Sequence, residues 1–343
     1  MDQGTNKEQE NRTTNDSPLP KAAGQENSFI QEDITQYYNT LEPENMGPHR
    51  ILKNVGWALF WFAVATLGSQ FLLSNLIYYI LLDFYNSSWF GIVLTAVTVA
   101  GIGFPVFYLA IRNVPNSKRG EVARLNFKQF LGLFFVSAAL MYLSNYFSII
   151  ITFLLSWLTG NSILNPLEEV VTESNMFLNF AYIAIIGPII EELIFRKVLL
   201  DKLRRFGDVP AILLTSFAFG FFHMNLSQFF YATILGIIFA YVTVRTNTIR
   251  YSIILHILIN FIGSIVAPLA VFSGNEGWLI LVSLWVIVSI ILGLTMFFKN
   301  IKKVSLLKGS VQIGRKSEYF LHIGTLLFLL ICVGMMVFVV IGY

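Results

Sequence analysis

Apolar residues in this chain gather into long unbroken runs rather than alternating with polar ones. Nine runs stand out, at approximately 54–82, 88–111, 129–159, 176–200, 209–225, 227–245, 251–272, 277–298 and 320–342. Each is close to the roughly 20 residues that a helix needs to cross a hydrocarbon core. The pattern predicts an all-α, polytopic transmembrane helix bundle of about nine spans. The first and third runs exceed a minimal span, so tilting or extension into an interface is expected there. Residues 1–48 are rich in Asn, Gln, Glu, Thr and Pro and poor in large apolar side chains. Such a stretch cannot bury enough surface to fold alone and reads as a disordered tail. The organisation expected is a polar tail over 1–50, N-terminal membrane helices over 51–175, a stretch rich in candidate chemistry over 176–270, and C-terminal membrane helices over 271–343. No internal repeat and no soluble domain is visible.

Composition agrees with this pattern. Of 343 residues, 55% are hydrophobic and 13% charged, against roughly 25% charged in soluble domains. Mean hydropathy is +0.67. The single cysteine, Cys332, lies in an apolar run. It offers no disulfide and no Cys-based metal site, and reads as a small buried hydrophobe. No apolar core of signal-peptide length occurs in the first 50 residues, and the terminal Val-Ile-Gly-Tyr has no cysteine to carry a prenyl group.

The placement of charge adds an orientation. The connections at 83–87, 160–175, 224–228 and 272–276 contain no Lys or Arg. Basic residues fall instead in the N-terminal tail and in the alternate connections near 112–128, 196–205, 245–250 and 299–316. By the positive-inside rule the N-terminus is cytoplasmic, and nine spans then place the C-terminus outside. Topology accounts for the basic residues, which argues against nucleic-acid binding. Segment 115–128, with Phe127 and its basic neighbours, suits either an interfacial amphipathic stretch or an ordinary loop.

Against this background a few polar residues inside apolar runs become conspicuous. Gly187-Pro-Ile-Ile-Glu-Glu-Leu-Ile-Phe-Arg196 places two adjacent acids and an arginine in the fourth run. Ionisable groups at bilayer depth are costly and point to function by default. On a helix Glu192 and Arg196 are i,i+4 neighbours with the acid on the N-terminal side, the favoured order for a pair. Glu191 points about 100° away, leaving it for chemistry. Phe219-Gly-Phe-Phe-His223 ends the fifth run, and His256-Ile-Leu-Ile-Asn260 puts an imidazole and a carboxamide on one face of the seventh. His49 and His322 show no companions and are read as ordinary core or tail residues. Ser216 and Ser264 are read as helix-packing residues.

Spacing allows the polar groups to meet. With a turn near Gly207-Asp208-Val209, Glu191 and His223 each lie roughly 23 Å from it at about 1.5 Å per residue. His256 and Asn260 lie roughly 12–18 Å beyond a turn near Thr248. They come level if the hairpin of the fourth and fifth helices extends into the cytoplasm, as the Lys202-Leu-Arg-Arg205 tract suggests. A carboxylate shielded from water can act as a general base near neutrality, and an imidazole beside it can share a water molecule. A second imidazole and a carboxamide can donate hydrogen bonds to a developing oxyanion. This set suits hydrolysis of an amide by activated water, and no serine or cysteine nucleophile has a comparable setting.

Glu191-Glu192-x-x-x-Arg196, Phe219-x-x-x-His223 and His256-x-x-x-Asn260 resemble, in order, spacing and placement, the three signatures of the CAAX-protease and bacteriocin-processing family of intramembrane proteases. The resemblance covers roughly residues 176–270. It implies that Glu191 and His223 position and activate the hydrolytic water, that His256 and Asn260 stabilise the oxyanion, and that Glu192, Arg196 and Phe219 have supporting roles. The family has been described both as metalloproteases and as metal-independent glutamate proteases. Glu191, His223 and His256 are the zinc ligands expected if zinc is used; without a His-Glu-x-x-His motif, metal-free chemistry is favoured. The resemblance further implies a membrane peptide or protein substrate and a multi-pass protein, read here as one of a bacterial plasma membrane. The competing reading is a catalytically inactive scaffold or a bacteriocin self-immunity protein of the same fold. A transporter is disfavoured by the lack of repeated halves.

Overall fold

The computed structural model describes residues 46–117, 120–160, 176–311, 313, 315, 319 and 321–341. The expected disordered tail lies outside them but for its last few residues. Residues Glu44–Tyr343 form one compact unit.

Every expected apolar run is helical where described. The helices are α1 (Pro48–Ile80), α2 (Phe90–Ile111), α3 (Phe127–Thr159), α4 (176–203), α5 (Asp208–Phe222), α6 (Leu226–Thr246), α7 (Arg250–Phe272), α8 (Glu276–Lys303) and α9 (Ile323–Ile341). Among the described residues, seven are long and apolar enough to cross a membrane. The other two are α4, which carries the motif charges, and α5, which has only 15 residues. The protein is thus an all-α polytopic membrane bundle. Helix ends follow local chemistry. Pro48 opens α1, where its missing N–H costs nothing. Asn126 and Gln129 cap each other's backbone at the start of α3. Asn225 and Asn275 cap α6 and α8 through their side-chain oxygens.

Small residues let the helices approach closely, as expected where apolar side chains gain nothing by leaving lipid. Gly56 of α1 lies against Gly324 and Thr325 of α9. On α5, Gly220 faces Thr233 of α6, and Ser216 packs on Gly236 of the same helix. Gly293 of α8 lies against the Phe135 carbonyl and Ala139 of α3. Two apolar cores result. One gathers Phe62, Phe107, Phe195, Phe219 and Phe328; the other gathers Phe134, Tyr142, Phe239, Leu255 and Ile259. Helix α6 feeds both, with Ala232 and Ala240 in the first and Leu235 and Phe239 in the second.

The connections that carry the basic residues share one end of the bundle. Lys202 Nζ donates to the Val114 carbonyl, and Arg205 Nη2 donates to the Pro115 carbonyl. The Ala123 N–H donates to the Thr246 carbonyl, and Asn247 Nδ2 donates to the Glu121 carbonyl. Asp208 accepts from the Leu307 N–H at 2.8 Å and from Arg245 Nη2. Gly207 and Gly309 pass so closely that a Cβ on Gly309 would lie 2.3 Å from the Gly207 nitrogen. The described part of 115–126 forms no helix; these bonds hold it as a strap across the helix ends. His49 and His322, expected to stand alone, face each other with ring centroids 6.5 Å apart.

Candidate active site

Helix α4 is not a regular α-helix around its motif. Widened π turns at Phe180–Ile186 and Leu193–Leu199 bracket the α-helical turn Gly187–Glu192. Such turns are frequent at functional sites. Here one has a chemical cause in the sequence. In the i→i+5 register the Ile183 carbonyl should accept from residue 188, but Pro188 has no N–H to give. The orphaned carbonyl accepts instead from Asn260 Nδ2 on α7, at 3.0 Å. The bond docks α7 on α4, and it leaves the second amide hydrogen of Asn260 for another acceptor.

One turn further along α7, His256 reaches both acids. Its Nδ1 lies 3.1 Å from Glu192 Oε1, and its Nε2 lies 3.5 Å from Glu191 Oε2. A carboxylate accepts, so the shorter contact places a hydrogen on Nδ1. Glu192 and Arg196 are both fully buried, with Arg196 Nε 3.4 Å from Glu192 Oε2. The pair expected from i,i+4 spacing therefore exists, but Glu192 has a second partner that spacing did not reveal. Glu191 differs from its neighbour in being a quarter exposed, so its carboxylate faces open space. His223 caps the C-terminus of α5, where the chain turns into α6. Its Nδ1 donates to the Phe219 carbonyl at 2.8 Å, which leaves Nε2 with the free lone pair. The charge of Glu191 reaches His223, as well as the phenols of Tyr182 and Tyr231. Phe219 stands edge-to-face to both imidazoles, with ring centroids 4.8 Å from His223 and 5.8 Å from His256.

All seven motif residues therefore lie in one neighbourhood, on the seam between the two apolar cores. His256 meets both acids, and the α4–α5 turn lies beside the end of α6, where Asp208 pairs with Arg245. Sequence reasoning missed Tyr182 and Tyr231, which no spacing rule connects to Glu191, and the Ile183 carbonyl, which Pro188 signals. A groove of about 290 Å³, lined by residues that include Leu52, Leu203, Phe217, Phe221 and Phe328, opens on another face of α5 and holds none of the motif side chains. A catalytic zinc needs three donors turned towards one point. Among the described residues no group of three His, Cys, Asp or Glu side chains is so arranged. The side chains expected to hold zinc are therefore not gathered into such a centre as placed.

Residues 173–262 match the model of the family described as Type II CAAX prenyl endopeptidase Rce1-like. This stretch supports the resemblance to the CAAX-protease and bacteriocin-processing family. A curated relative, named "Putative membrane peptidase YdiL", from Bacillus subtilis (strain 168), is 36% identical over 78 residues. The match covers 22% of this chain and spans about a third of the relative's length, 32%. No solved structure matches the chain. The CAAX-protease-like stretch runs from α4 to α7 and so contains all three motifs, while α1–α3, α8 and α9 lie beyond it.

Proposed function

We propose that the protein is an intramembrane endopeptidase that hydrolyses a peptide bond of a membrane-associated peptide or protein. The observation that carries this reading is the partly exposed Glu191 carboxylate beside His256 and within electrostatic reach of His223, all inside an apolar bundle. Glu191 is the general base that takes a proton from water, and His223 Nε2 accepts a hydrogen bond from the same water. The hydroxide attacks the scissile carbonyl. His256, held through its Nδ1 hydrogen by Glu192 and donating from Nε2 when that nitrogen is also protonated, and the second amide hydrogen of Asn260 face the developing oxyanion. The proton on Glu191 then passes to the leaving amine, which closes the cycle without a covalent intermediate. The basic loop end faces the cytoplasm of a bacterial cell, so the N-terminus is cytoplasmic and cleavage occurs within the bilayer.

The test compares membrane peptides, by mass spectrometry, in cells carrying the wild-type protein, Glu191→Gln or His223→Gln at equal abundance. Expected is an uncleaved membrane peptide that accumulates with either variant, as it does without the protein. Full processing by both variants would sink the protease reading and leave a non-catalytic scaffold of the same fold.

A further inference from the structure

Arg196 is the largest fully buried side chain, and none of its three guanidinium nitrogens has a hydrogen-bond partner. Its ion pair with Glu192 is a single contact of 3.4 Å through Nε, so a cation this deeply buried draws on further stabilisation. Its guanidinium carbon lies 4.4 Å from the centroid of the Phe219 ring and 5.8 Å from that of Phe239. A cation over a ring face is attracted by the ring quadrupole, most strongly away from water. The same Phe219 ring stands at 90° to His223 and to His256. One fully buried phenylalanine thus touches the arginine of the first motif, the histidine of its own motif and the histidine of the third.

We infer that Phe219 is a positioning residue: its ring face holds the Arg196 cation, and its ring fixes where both imidazoles lie. The proposal deepens the protease reading, but the ring contacts exist whether or not the protein cleaves anything. Phe195 supplies an internal control. It is equally buried and packs 5.2 Å from Phe219, yet it has no cation over its face among the described contacts. The chain holds four histidines, of which two touch Phe219 and two, His49 and His322, pack together elsewhere.

The experiment replaces Phe219 with mono-, di- and trifluorophenylalanine in the full chain, purified in detergent, and repeats the series at Phe195. Fluorine drains the ring face of negative charge with little change in shape. Expected at 219 is a stepwise fall in Tm, totalling on the order of 2–6 °C, with a flat series at 195. In ¹⁵N-histidine spectra at one pH, two of the four imidazoles shift with fluorination at 219 and two stay fixed. Equal slopes at the two positions, or four unmoved imidazoles, would reduce Phe219 to apolar filler and overturn the proposal. Loss of Glu191→Gln sensitivity in the processing test would instead sink only the protease reading.

Discussion

Replacing Arg196 with methionine removes the only guanidinium or ammonium group paired with Glu192 among the described ion pairs. Both partners are fully buried, so the carboxylate left behind keeps one hydrogen bond, from His256, and gains no water. Breaking a buried pair from one side costs about 3–5 kcal/mol. At about 2–4 °C per kcal/mol for a chain of a few hundred residues, Arg196→Met lowers Tm by about 6–20 °C. The double variant Glu192→Gln/Arg196→Met removes both charges, and the glutamine oxygen still accepts from His256 Nδ1. It recovers at least half of the loss, because a neutral replacement of a buried pair is often close to neutral in stability. The assay heats detergent-purified protein and measures the monodisperse fraction by size-exclusion chromatography. A single variant within about 3 °C of wild type, or a double variant no better than the single, would refute the reasoning. The first result would mean that water reaches the pair; the second, that the cost is lost packing.

Three further expectations are independent of one another. Asn260→Leu leaves the Ile183 carbonyl unpaired and lowers stability by about 1–3 kcal/mol, and it slows processing of the accumulating peptide more than the stability loss explains. Gly207 has φ +98° and would carry a Cβ 2.7 Å from the Gly309 nitrogen, so Gly207→Ala costs about 1–3 kcal/mol and exposes the 304–311 segment to limited proteolysis. Gly293→Val drives side-chain atoms into the Phe135 carbonyl of α3, where even a Cβ would lie 2.2 Å away; it lowers Tm by at least about 2–4 °C, a shift read by the same heating assay.

The helical architecture was legible because the bilayer imposes a length on each apolar run, and all nine runs are helical where described. The i,i+4 rule found Glu192–Arg196 because both residues ride on one helix. The same rule is silent across helices, so it missed the bond from His256 to Glu192. That contact depends on how α4 packs against α7, which is a tertiary quantity. The π turns were missed for a different reason. Pro188 marks a lost donor, but the register of the carbonyl it orphans is settled only when Asn260 arrives to accept the role. Segment 115–126 was ambiguous because its charge pattern suits a headgroup boundary as well as it suits a strap; the partners that decide are the carbonyls and side chains of Thr246, Asn247, Asp201 and Tyr251.

The shortness of α5 has a consequence for the lipid around it. Fifteen residues rise about 22 Å, well short of a hydrocarbon layer of about 30 Å. A helix that ends early at Phe222, with His223 at its tip, draws the far leaflet inward or leaves a dimple above the hairpin, since mismatch is relieved by local deformation. Wet headgroups are thereby brought down towards His223 and the partly exposed Glu191. Thicker bilayers resist such a dimple, so processing reconstituted in lipids of increasing acyl length slows as the chains lengthen.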